Sequence, residues 1–280
     1  MSTLRRMTLA LCFGALITGP ALAQGALGDD KYQPQIGQDG KDVIWVPTND
    51  ELVNKMLETA KVTDQDIVYD LGAGDGKIPI AAARNHGARA VGIEYNPEMA
   101  ALARRNAQRA GVANKVKIIH GDIFKENFSE ATVITLYLLP DLNLKLRPTI
   151  LKMKPGTRVV SHAFNMGDWE PDQKIESARA HGYFWVVPAN VAGQWIIDGL
   201  DGGAATLQIS QRYQQIGGNI TIGKKTQPVL GAMLSGDKLS FRYLDNAGTL
   251  HSVKATVKGN GLEGEAQGGS LFNNIKGTRR

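Results

Sequence analysis

The chain has 280 residues, of which 42% are hydrophobic and 21% are charged, and its formal net charge is +5. This composition is that of a folded protein of one or two domains and excludes a chain that is disordered throughout. The positive excess is mild, and outside the tail residues Lys276, Arg279 and Arg280 no dense basic stretch indicates a nucleic-acid partner or an anionic membrane surface.

The first 23 residues have the layout of a secretory signal peptide. Two arginines precede an apolar run over residues 7–22, which ends in the small-x-small motif Ala21-Leu22-Ala23. The run is marginal for a membrane span of about 20 residues, and Pro20 favours cleavage over retention as an anchor. We therefore expect residues 1–23 to be removed, which leaves a periplasmic or secreted protein with no stable membrane span.

Cleavage after Ala23 would also remove Cys12, the single cysteine of the sequence. The residues before it, Leu9-Ala10-Leu11, lack the small residue expected ahead of a lipidated cysteine, so lipidation is not expected. The mature chain would hold no disulfide, and its stability would come from packing. Loss of the two arginines would lower the net charge from +5 to +3.

Residues 43–188 alternate between strand and helix patterns, after a segment over residues 24–42 that is rich in Gly, Gln and Asp and that we interpret as a linker. Apolar runs predict six strands, over Ile67–Leu71, Ala90–Ile93, Val116–Ile119, Thr132–Tyr137, Arg158–Ser161 and Tyr183–Val187. Helices are predicted after a capping box that begins at Thr48, from about Lys77 to His86, from Asn96 to Ala110, and over Leu142–Leu151. Apolar strands separated by helices indicate an α/β fold with a Rossmann-like, doubly wound and mostly parallel sheet.

Residues 190–280 have a different pattern, with frequent glycine and no helical periodicity. Alternating apolar segments predict strands at Thr206–Ile209, Ile220–Ile222, Leu239–Phe241 and Ser252–Val257, with turns at Gly217-Gly218, Gly236-Asp237 and Asn260-Gly261. We expect a small antiparallel β-domain, either a sandwich or a barrel.

The strongest functional signal is the glycine-rich turn between the first predicted strand and the helix that follows it. Gly72, Gly74 and Gly76 permit a sharp turn and the close approach of a ligand, and the start of the next helix suits a carboxylate. Asp70, at the end of the strand, can oppose an ammonium group. A ligand with both an amine and a carboxylate is an amino acid, and S-adenosylmethionine (SAM) is one.

Two further acids follow the next two predicted strands. Glu94 can accept hydrogen bonds from ribose hydroxyls, Asp122 can accept from an adenine amino group, and Ile123 can pack on the adenine. A dinucleotide is the competing ligand, but its fingerprint is G-x-G-x-x-G and the spacing here is G-x-G-x-G. Asp70 would also repel a pyrophosphate. The predicted cofactor is therefore SAM, and no metal site is predicted.

Asp70 to Gly76, Glu94 and Asp122 together resemble the class I SAM-dependent methyltransferases. A narrower resemblance is carried by Val46-Pro47-Thr48, Thr135-Leu136-Tyr137-Leu138-Leu139-Pro140, Leu144-Lys145-Leu146-Arg147-Pro148 and Gly156-Thr157-Arg158-Val159-Val160-Ser161-His162. These stretches resemble the mitochondrial lysine methyltransferases that modify the c-ring protein of ATP synthase and the adenine nucleotide translocase, and their exported bacterial relatives. The resemblance covers about residues 43–170 and implies protein-lysine N-methylation, with a protein as the substrate. The signal peptide departs from the pattern, because those relatives work where SAM is made or imported.

Candidate residues on the acceptor side follow the fourth and fifth predicted strands. Tyr137 can hydrogen-bond an incoming amine or simply pack at the strand end, and His162 can accept a proton or cap its strand. Thr48 can reach the cofactor carboxylate, although its capping box also explains it. Asn143 is interpreted as a helix cap and Arg147 as part of a solvated helix face. The four tryptophans, Trp45, Trp169, Trp185 and Trp195, are interpreted as core or domain-interface residues.

Three hypotheses of different classes follow from the sequence. The first is an active methyltransferase acting on protein lysine; the absence of an Asn-Pro-Pro-Tyr or Asp-Pro-Pro-Tyr motif after the fourth strand argues against methylation of amides or of the adenine amino group, and no nucleic-acid substrate is expected. The second is an exported, non-catalytic protein that binds SAM or a nucleoside. The third is an envelope-interaction protein in which the β-domain carries the function. The sequence leaves the acceptor and the oligomeric state open.

Overall fold

Two sheets organise the part of the chain that the computed structural model describes, residues 27–200 and 203–280, without the side chain of Leu271. The predicted signal peptide, residues 1–23, lies outside the described residues. Within them, no helix combines the length and the apolar character needed to cross a lipid bilayer.

The first sheet has seven strands in the order β3-β2-β1-β4-β5-β7-β6. Its strands are β1 Ile67–Leu71, β2 Arg89–Glu94, β3 Val116–His120, β4 Val133–Leu136, β5 Arg158–His162, β6 Gln173–Glu176 and β7 His181–Val186. Strands β1 to β5 are parallel, whereas β7 runs antiparallel to both β5 and β6. The doubly wound, mostly parallel sheet predicted from the sequence is confirmed, and the antiparallel edge adds β6, which the apolar pattern did not reveal because only Ile175 of that strand is buried.

Four helices accompany this sheet: α1 Asp50–Thr59, α2 Lys77–His86, α3 Pro97–Arg109 and α4 Pro140–Ile150. The helix α2 is apolar along most of its length, because it is buried against the sheet. The helix α3 begins as predicted, with the Asn96 side chain accepting from the backbone N–H groups of Glu98 and Met99. The expected cap at Thr48 was wrong: Asn49 caps α1 by accepting from the backbone N–H of Leu52, at 2.9 Å.

Residues 27–49 pack against the first domain, although the sequence suggested a linker over residues 24–42. Asp29 accepts from the Arg105 guanidinium Nε at 2.5 Å and from Arg109 at 3.0 Å, which fixes the segment on α3. Backbone hydrogen bonds between Gln38 and Trp45 and between Gly40 and Val43 then fold it into a tight turn. The segment has no helix or strand, and for that reason its sequence carries no periodic signal. We call residues 29–48 the strap.

The second sheet has nine antiparallel strands in the order β11-β10-β9-β8-β16-β15-β14-β13-β12. They are β8 Gly193–Leu200, β9 Gly203–Arg212, β10 Gln215–Ile222, β11 Lys225–Pro228, β12 Leu230–Ser235, β13 Lys238–Leu244, β14 Leu250–Lys258, β15 Gly261–Gly268 and β16 Leu271–Arg279. The sheet curls until β12 approaches β10, where the Val229 N–H donates to the Gly218 carbonyl at 3.0 Å. The result is a nearly closed barrel, one of the two architectures expected.

The turns of the barrel follow the sequence in part. Tight turns at Gly236-Asp237 and at Asn260-Gly261 join strands as predicted. The turn predicted at Gly217-Gly218 was wrong, because both glycines lie inside β10. A side chain at Gly218 would lie 1.9 Å from the Gln208 carbonyl oxygen of the paired strand, so close backbone packing explains that glycine.

The barrel has an apolar interior whose inward-facing side chains should set its stability. Leu207 of β9 is completely buried, whereas Leu244 of β13 keeps 37% of its surface exposed. We expect Leu207→Ala to lower the free energy of unfolding by about 3 kcal/mol, because it removes buried methyl groups and leaves a cavity. Leu244→Ala, as the matched control, should cost less than about 1 kcal/mol. Urea unfolding followed by circular dichroism measures both, and equal losses would contradict this account of the core.

Candidate functional site

A cavity of about 240 Å³ opens at the carboxyl ends of β1, β2 and β4. The chain leaves β1 toward β2 on one side, and β4 pairs with β1 on the other, so the cavity lies at the point where the strand order reverses. Open α/β sheets bind their ligands at this position. Nine of the ten sequence-predicted site residues either line the cavity or contact a lining residue: Thr48, Asp70, Gly72, Gly74, Glu94, Asp122, Ile123, Tyr137 and His162. The tenth, Gly76, continues the turn beneath it.

The glycine-rich turn forms the floor of the cavity. Gly72, Gly74 and Gly76 have φ angles of +87°, +54° and +83°, a region that side chains disfavour. A Cβ atom at Gly74 would lie 2.5 Å from the indole Nε1 of Trp45, and one at Gly76 would lie 3.0 Å from Ala103 of α3. The three glycines are therefore required both by the backbone and by close packing.

Asp70 is the most buried acid of the cavity, with 2% of its surface exposed. Its Oδ1 accepts from the Thr135 hydroxyl of β4 at 2.6 Å, and no lysine or arginine of the described residues pairs with it. Burial, with the nearby charges of Glu94 and Asp75, raises the pKa of Asp70 to about 7. A buried carboxyl in this state gains a partner when a cationic group binds beside it.

Glu94 lies at the end of β2 with both carboxylate oxygens engaged by the backbone. Oε2 accepts from the Gly74 N–H and Oε1 from the Asn96 N–H, each at 2.8 Å. This side chain therefore ties the glycine-rich turn to the start of α3, and its remaining lone pairs can accept from a ligand's hydroxyl groups. Burial raises the pKa of both Glu94 and Asp75, the third acid lining the cavity.

Asp122 joins the strap to the sheet. It accepts from the Lys41 ammonium at 2.9 Å and from the Phe124 backbone N–H at 2.9 Å, and both interactions lower its pKa. Lys41 also lies 4.9 Å from the centre of the Tyr95 ring. The role predicted for Asp122, accepting from an adenine amino group, therefore competes with an ion pair that the sequence did not indicate. Ile123 lines the cavity beside it, as expected.

The electrostatics of the cavity select the charge of its ligand. Asp70, Asp75 and Glu94 form a buried acidic group whose pKa values are all raised, so the site is short of positive charge. A pyrophosphate would add negative charge to this group and is disfavoured. SAM brings a sulfonium and an ammonium, and its remaining groups find a cradle in the glycine-rich turn. The residues present fit SAM and not a dinucleotide.

Thr48 and His162 meet on the far side of the cavity. The Thr48 hydroxyl and His162 Nδ1 are 3.0 Å apart, and both residues are buried. The His162 ring packs on Tyr137 with 3.7 Å between ring centres. Burial and the nearby His181 lower the pKa of His162 to about 4, so the imidazole is neutral at ordinary pH. Thr48 is therefore an anchor between the strap and β5, which the capping-box interpretation did not anticipate.

The side of the cavity opposite the acids is apolar. It is formed by Tyr137 and the residues that follow β4, together with Phe164, whose ring centre lies 6.4 Å from that of Tyr137. The lining side chains here are Tyr137, Leu138, Leu139, Leu142 and Phe164. Burial raises the pKa of the Tyr137 hydroxyl, which keeps it protonated and able to donate or accept a hydrogen bond.

Several residues of the site were not identified from the sequence. Trp45 was interpreted as a core or interface residue and instead lies over Gly74, and Lys41 belongs to the segment interpreted as a linker. Phe164 follows β5 in a loop without periodic pattern. The strap lies far from the glycine-rich turn in sequence, so no local signal links the two. Within residues 27–200 and 203–280, no cluster of His, Cys, Asp and Glu has the arrangement needed to hold a metal ion.

Two residues of α4 also differ from their interpretation. Asn143 does not cap the helix but lies inside it, where its amide Nδ2 donates to the carbonyls of Phe164 and Asn165, at 3.1 and 3.2 Å. Arg147 is half-buried and donates to the Met166 carbonyl at 2.6 Å, so it does not lie on a solvated face. Both side chains hold the loop that carries Phe164.

The contact between Gly74 and Trp45 can be tested with two alanine substitutions. Gly74→Ala and Gly111→Ala both place a side chain at positive φ, which costs about 1 kcal/mol, but nothing lies within 4 Å of a Cβ at Gly111. Only Gly74→Ala should displace Trp45. Because Trp169, Trp185 and Trp195 are fully buried, acrylamide quenching of tryptophan fluorescence should rise in Gly74→Ala and stay unchanged in Gly111→Ala. Unchanged quenching in both variants would place Trp45 elsewhere.

Comparison with known proteins agrees with this geometry. The family described as "ANTKMT methyltransferase domain" matches residues 70–173. A protein-lysine N-methyltransferase of Saccharolobus islandicus is 46% identical over 136 residues, which are 48% of this chain and 84% of that protein. The mouse lysine N-methyltransferase that acts on the c-ring protein of ATP synthase is 32% identical over 129 residues, which are 46% of this chain and only 51% of that relative.

A solved structure extends the likeness to three dimensions. The structure, described as an RNA methyltransferase from Salinibacter ruber in complex with S-adenosyl-L-homocysteine, is 51% identical in sequence and aligns with a TM-score of 0.51. The alignment covers 52% of this chain and 96% of that one. The sheet topology, the position of the cavity and these relatives agree, and the chain belongs to the SAM-dependent methyltransferase family of the ANTKMT type.

Proposed function

We propose that this protein transfers the methyl group of SAM to the side-chain amine of a protein lysine. The observation that carries the proposal is the division of the cavity into two sides. Buried acids around the glycine-rich turn provide the site for a cationic amino-acid nucleoside, and the apolar side lined by Tyr137 and Phe164 provides the site for an uncharged acceptor.

On the cofactor side, each group of the chain has a defined task. Asp70 would pair with the ammonium of the bound SAM, and Glu94 would accept from its ribose hydroxyls while holding the turn through Gly74. Ile123 would pack on the adenine. Trp45 covers the turn from above and excludes water. When bound, SAM supplies a methyl group that is electrophilic because it is attached to a sulfonium.

On the acceptor side, the chain lowers the cost of presenting a neutral amine. A lysine ammonium that enters among Tyr137, Leu138 and Phe164 loses solvation, which lowers its pKa and favours the nucleophilic form. The Tyr137 hydroxyl stays protonated and can accept a hydrogen bond from the amine, which orients its lone pair. His162 is neutral and buried behind Tyr137, so it positions that ring and is not required as a strong base.

The entrance of the cavity favours a basic substrate. Asp39 and Asp42 of the strap are exposed and line it, whereas Lys41 between them is engaged with Asp122. These carboxylates attract a lysine side chain and repel a phosphate backbone. Relatives described as protein-lysine N-methyltransferases support the same choice. The Salinibacter ruber structure, described as an RNA methyltransferase, makes RNA the alternative acceptor to test.

We further propose that the enzyme acts outside the cytoplasm, on the basis of the signal-peptide pattern in residues 1–23. An exported enzyme needs methyl donor in its own compartment. Mass spectrometry of the small molecules that co-purify with protein isolated from the periplasm or medium would detect SAM or S-adenosylhomocysteine. Recovery of the protein only from cytoplasm, with residues 1–23 retained, would contradict export.

The acceptor can be identified by labelling. The protein and SAM carrying a tritiated methyl group are incubated with total envelope protein, with lysine-containing peptides, or with total RNA, and the products are analysed by mass spectrometry. We expect label on lysine side chains, with an excess mass of one or more methyl groups. Label confined to RNA would overturn the choice of acceptor. Binding of SAM without any transfer would favour the hypothesis of a non-catalytic binding protein.

The raised pKa of Asp70 predicts how SAM affinity depends on pH. Below about pH 7 the free carboxyl is protonated and cannot offset the ammonium of the ligand, so affinity should fall as the pH is lowered from 7.5 to 5.5, by up to about tenfold per pH unit. Isothermal titration calorimetry should also show proton release on binding near pH 6. Asp70→Asn should weaken binding at pH 7.5 and remove this pH dependence.

A surface acid provides the matched control for Asp70. Asp64 is exposed in the turn between α1 and β1, so Asp64→Asn should leave both the affinity and its pH dependence unchanged. An Asp70→Asn variant that retained the full pH dependence would show that another group, such as Glu94 or Asp75, controls the ammonium site.

A further inference from the structure

The loop over residues 163–172, which joins β5 to β6, contains Phe164 at its start and Trp169 near its end. Phe164 lines the apolar side of the cavity, and Trp169 is completely buried. Ala163 has a φ of +61°, an unfavourable value for a residue with a side chain. A loop held in this conformation needs support from its surroundings, and the structure shows two sources of it.

The first support comes from α4. Asn143 donates to the carbonyls of Phe164 and Asn165, and Arg147 donates to the Met166 carbonyl at 2.6 Å and to Asp168 Oδ1 at 2.5 Å. These contacts hold one side of the loop from within the first domain.

The second support comes from the barrel. The strands β9 and β10 are joined by a two-residue turn, Tyr213-Gln214, which lies against the other side of the loop. Asp168 accepts from Arg212 at 2.9 Å and from the Tyr213 hydroxyl at 3.1 Å. Gln214 accepts from the Trp169 indole N–H at 2.9 Å and donates to the Glu170 carbonyl at 2.7 Å. The hydrogen bonds from Arg212, Arg147 and Tyr213 lower the pKa of Asp168 to about 2.

The backbone of the turn indicates that its position is imposed by these contacts. Tyr213 has a φ of +55° at a place where a two-residue hairpin turn prefers glycine. A tyrosine there costs about 1 kcal/mol, and the ring stacks on Trp169 with 6.1 Å between ring centres. The hairpin therefore accepts local strain and gains contacts to the other domain.

We infer that the barrel is a positioning element for methyl transfer: its Arg212-Tyr213-Gln214 turn holds the loop over residues 163–172 and thereby sets the place of Phe164 on the acceptor side of the cavity. Arg212, Tyr213 and Gln214 are positioning residues, since none of them lines the cavity. This inference rests on the proposed function for its effect on catalysis, whereas its structural part stands apart from the acceptor's identity.

The test uses the full chain and the substitution Tyr213→Gly. Glycine relieves the positive φ, so a purely structural role predicts unchanged or higher stability, while the loss of the ring and hydroxyl frees Asp168 and Trp169. Lys224→Ala, in the turn between β10 and β11, is the control on the neighbouring hairpin of the same sheet. Hydrogen–deuterium exchange read by mass spectrometry measures the loop, calorimetry measures S-adenosylhomocysteine affinity, and tritium transfer to a lysine-containing peptide measures catalysis.

We expect faster exchange in residues 163–172 of Tyr213→Gly, unchanged S-adenosylhomocysteine affinity, and a kcat/KM for the peptide lowered about tenfold or more, since misplaced acceptor contacts reduce transfer strongly. Tyr213→Phe, which keeps the ring and loses only the hydroxyl, should fall between Tyr213→Gly and the unaltered chain. Unchanged loop exchange in Tyr213→Gly, or an equal effect of Lys224→Ala, would overturn the inference. If no lysine peptide is methylated by the unaltered chain, the proposed function fails, and the exchange measurement still decides whether the turn holds the loop.

Discussion

The site depends on one electrostatic constraint, a carboxyl group held without a cation at the centre of the first sheet. Asp70 stays in place because the Thr135 hydroxyl of the neighbouring strand donates to it and because the glycine-rich turn leaves it no route to solvent. Its burial is costly for the free protein and is compensated only by a positively charged ligand. This constraint explains why a fold shared with many dinucleotide-binding proteins here selects a sulfonium amino acid.

Two elements outside the parallel sheet complete the cavity. The strap approaches from the N-terminal side, where the Lys41–Asp122 ion pair and the Thr48–His162 hydrogen bond attach it at the third and fifth strands. The loop after β5 approaches from the other side and is held between α4 and the barrel. The part matched by the methyltransferase family, residues 70–173, includes the loop but neither the strap nor the barrel.

The parts of the structure that repeat a local pattern were predictable from the sequence. The helix α2 and strand β1 have the predicted bounds, since burial on both faces gives each a continuous apolar pattern. The Asp70, Gly74 and Glu94 cluster followed from residues at consecutive strand ends. Contacts between distant segments were not predictable: Trp45 on Gly74 and Arg212 on Asp168 join positions whose own surroundings carry no periodic signal. Strands β6 and β11 were missed because their residues are mostly exposed.

The strand order of the barrel has a consequence for how the polypeptide reaches its native state. The strand β16 lies between β8 and β15, with Lys276 opposite Asp198. During synthesis or translocation, β8 emerges long before β16 and has one edge without a partner until that strand arrives. Such distant pairing slows folding, and an unpaired edge invites association with other chains. Folding of the second domain should therefore be late and sensitive to chaperones, whereas the first sheet, built from neighbouring β-α-β units, can form before it.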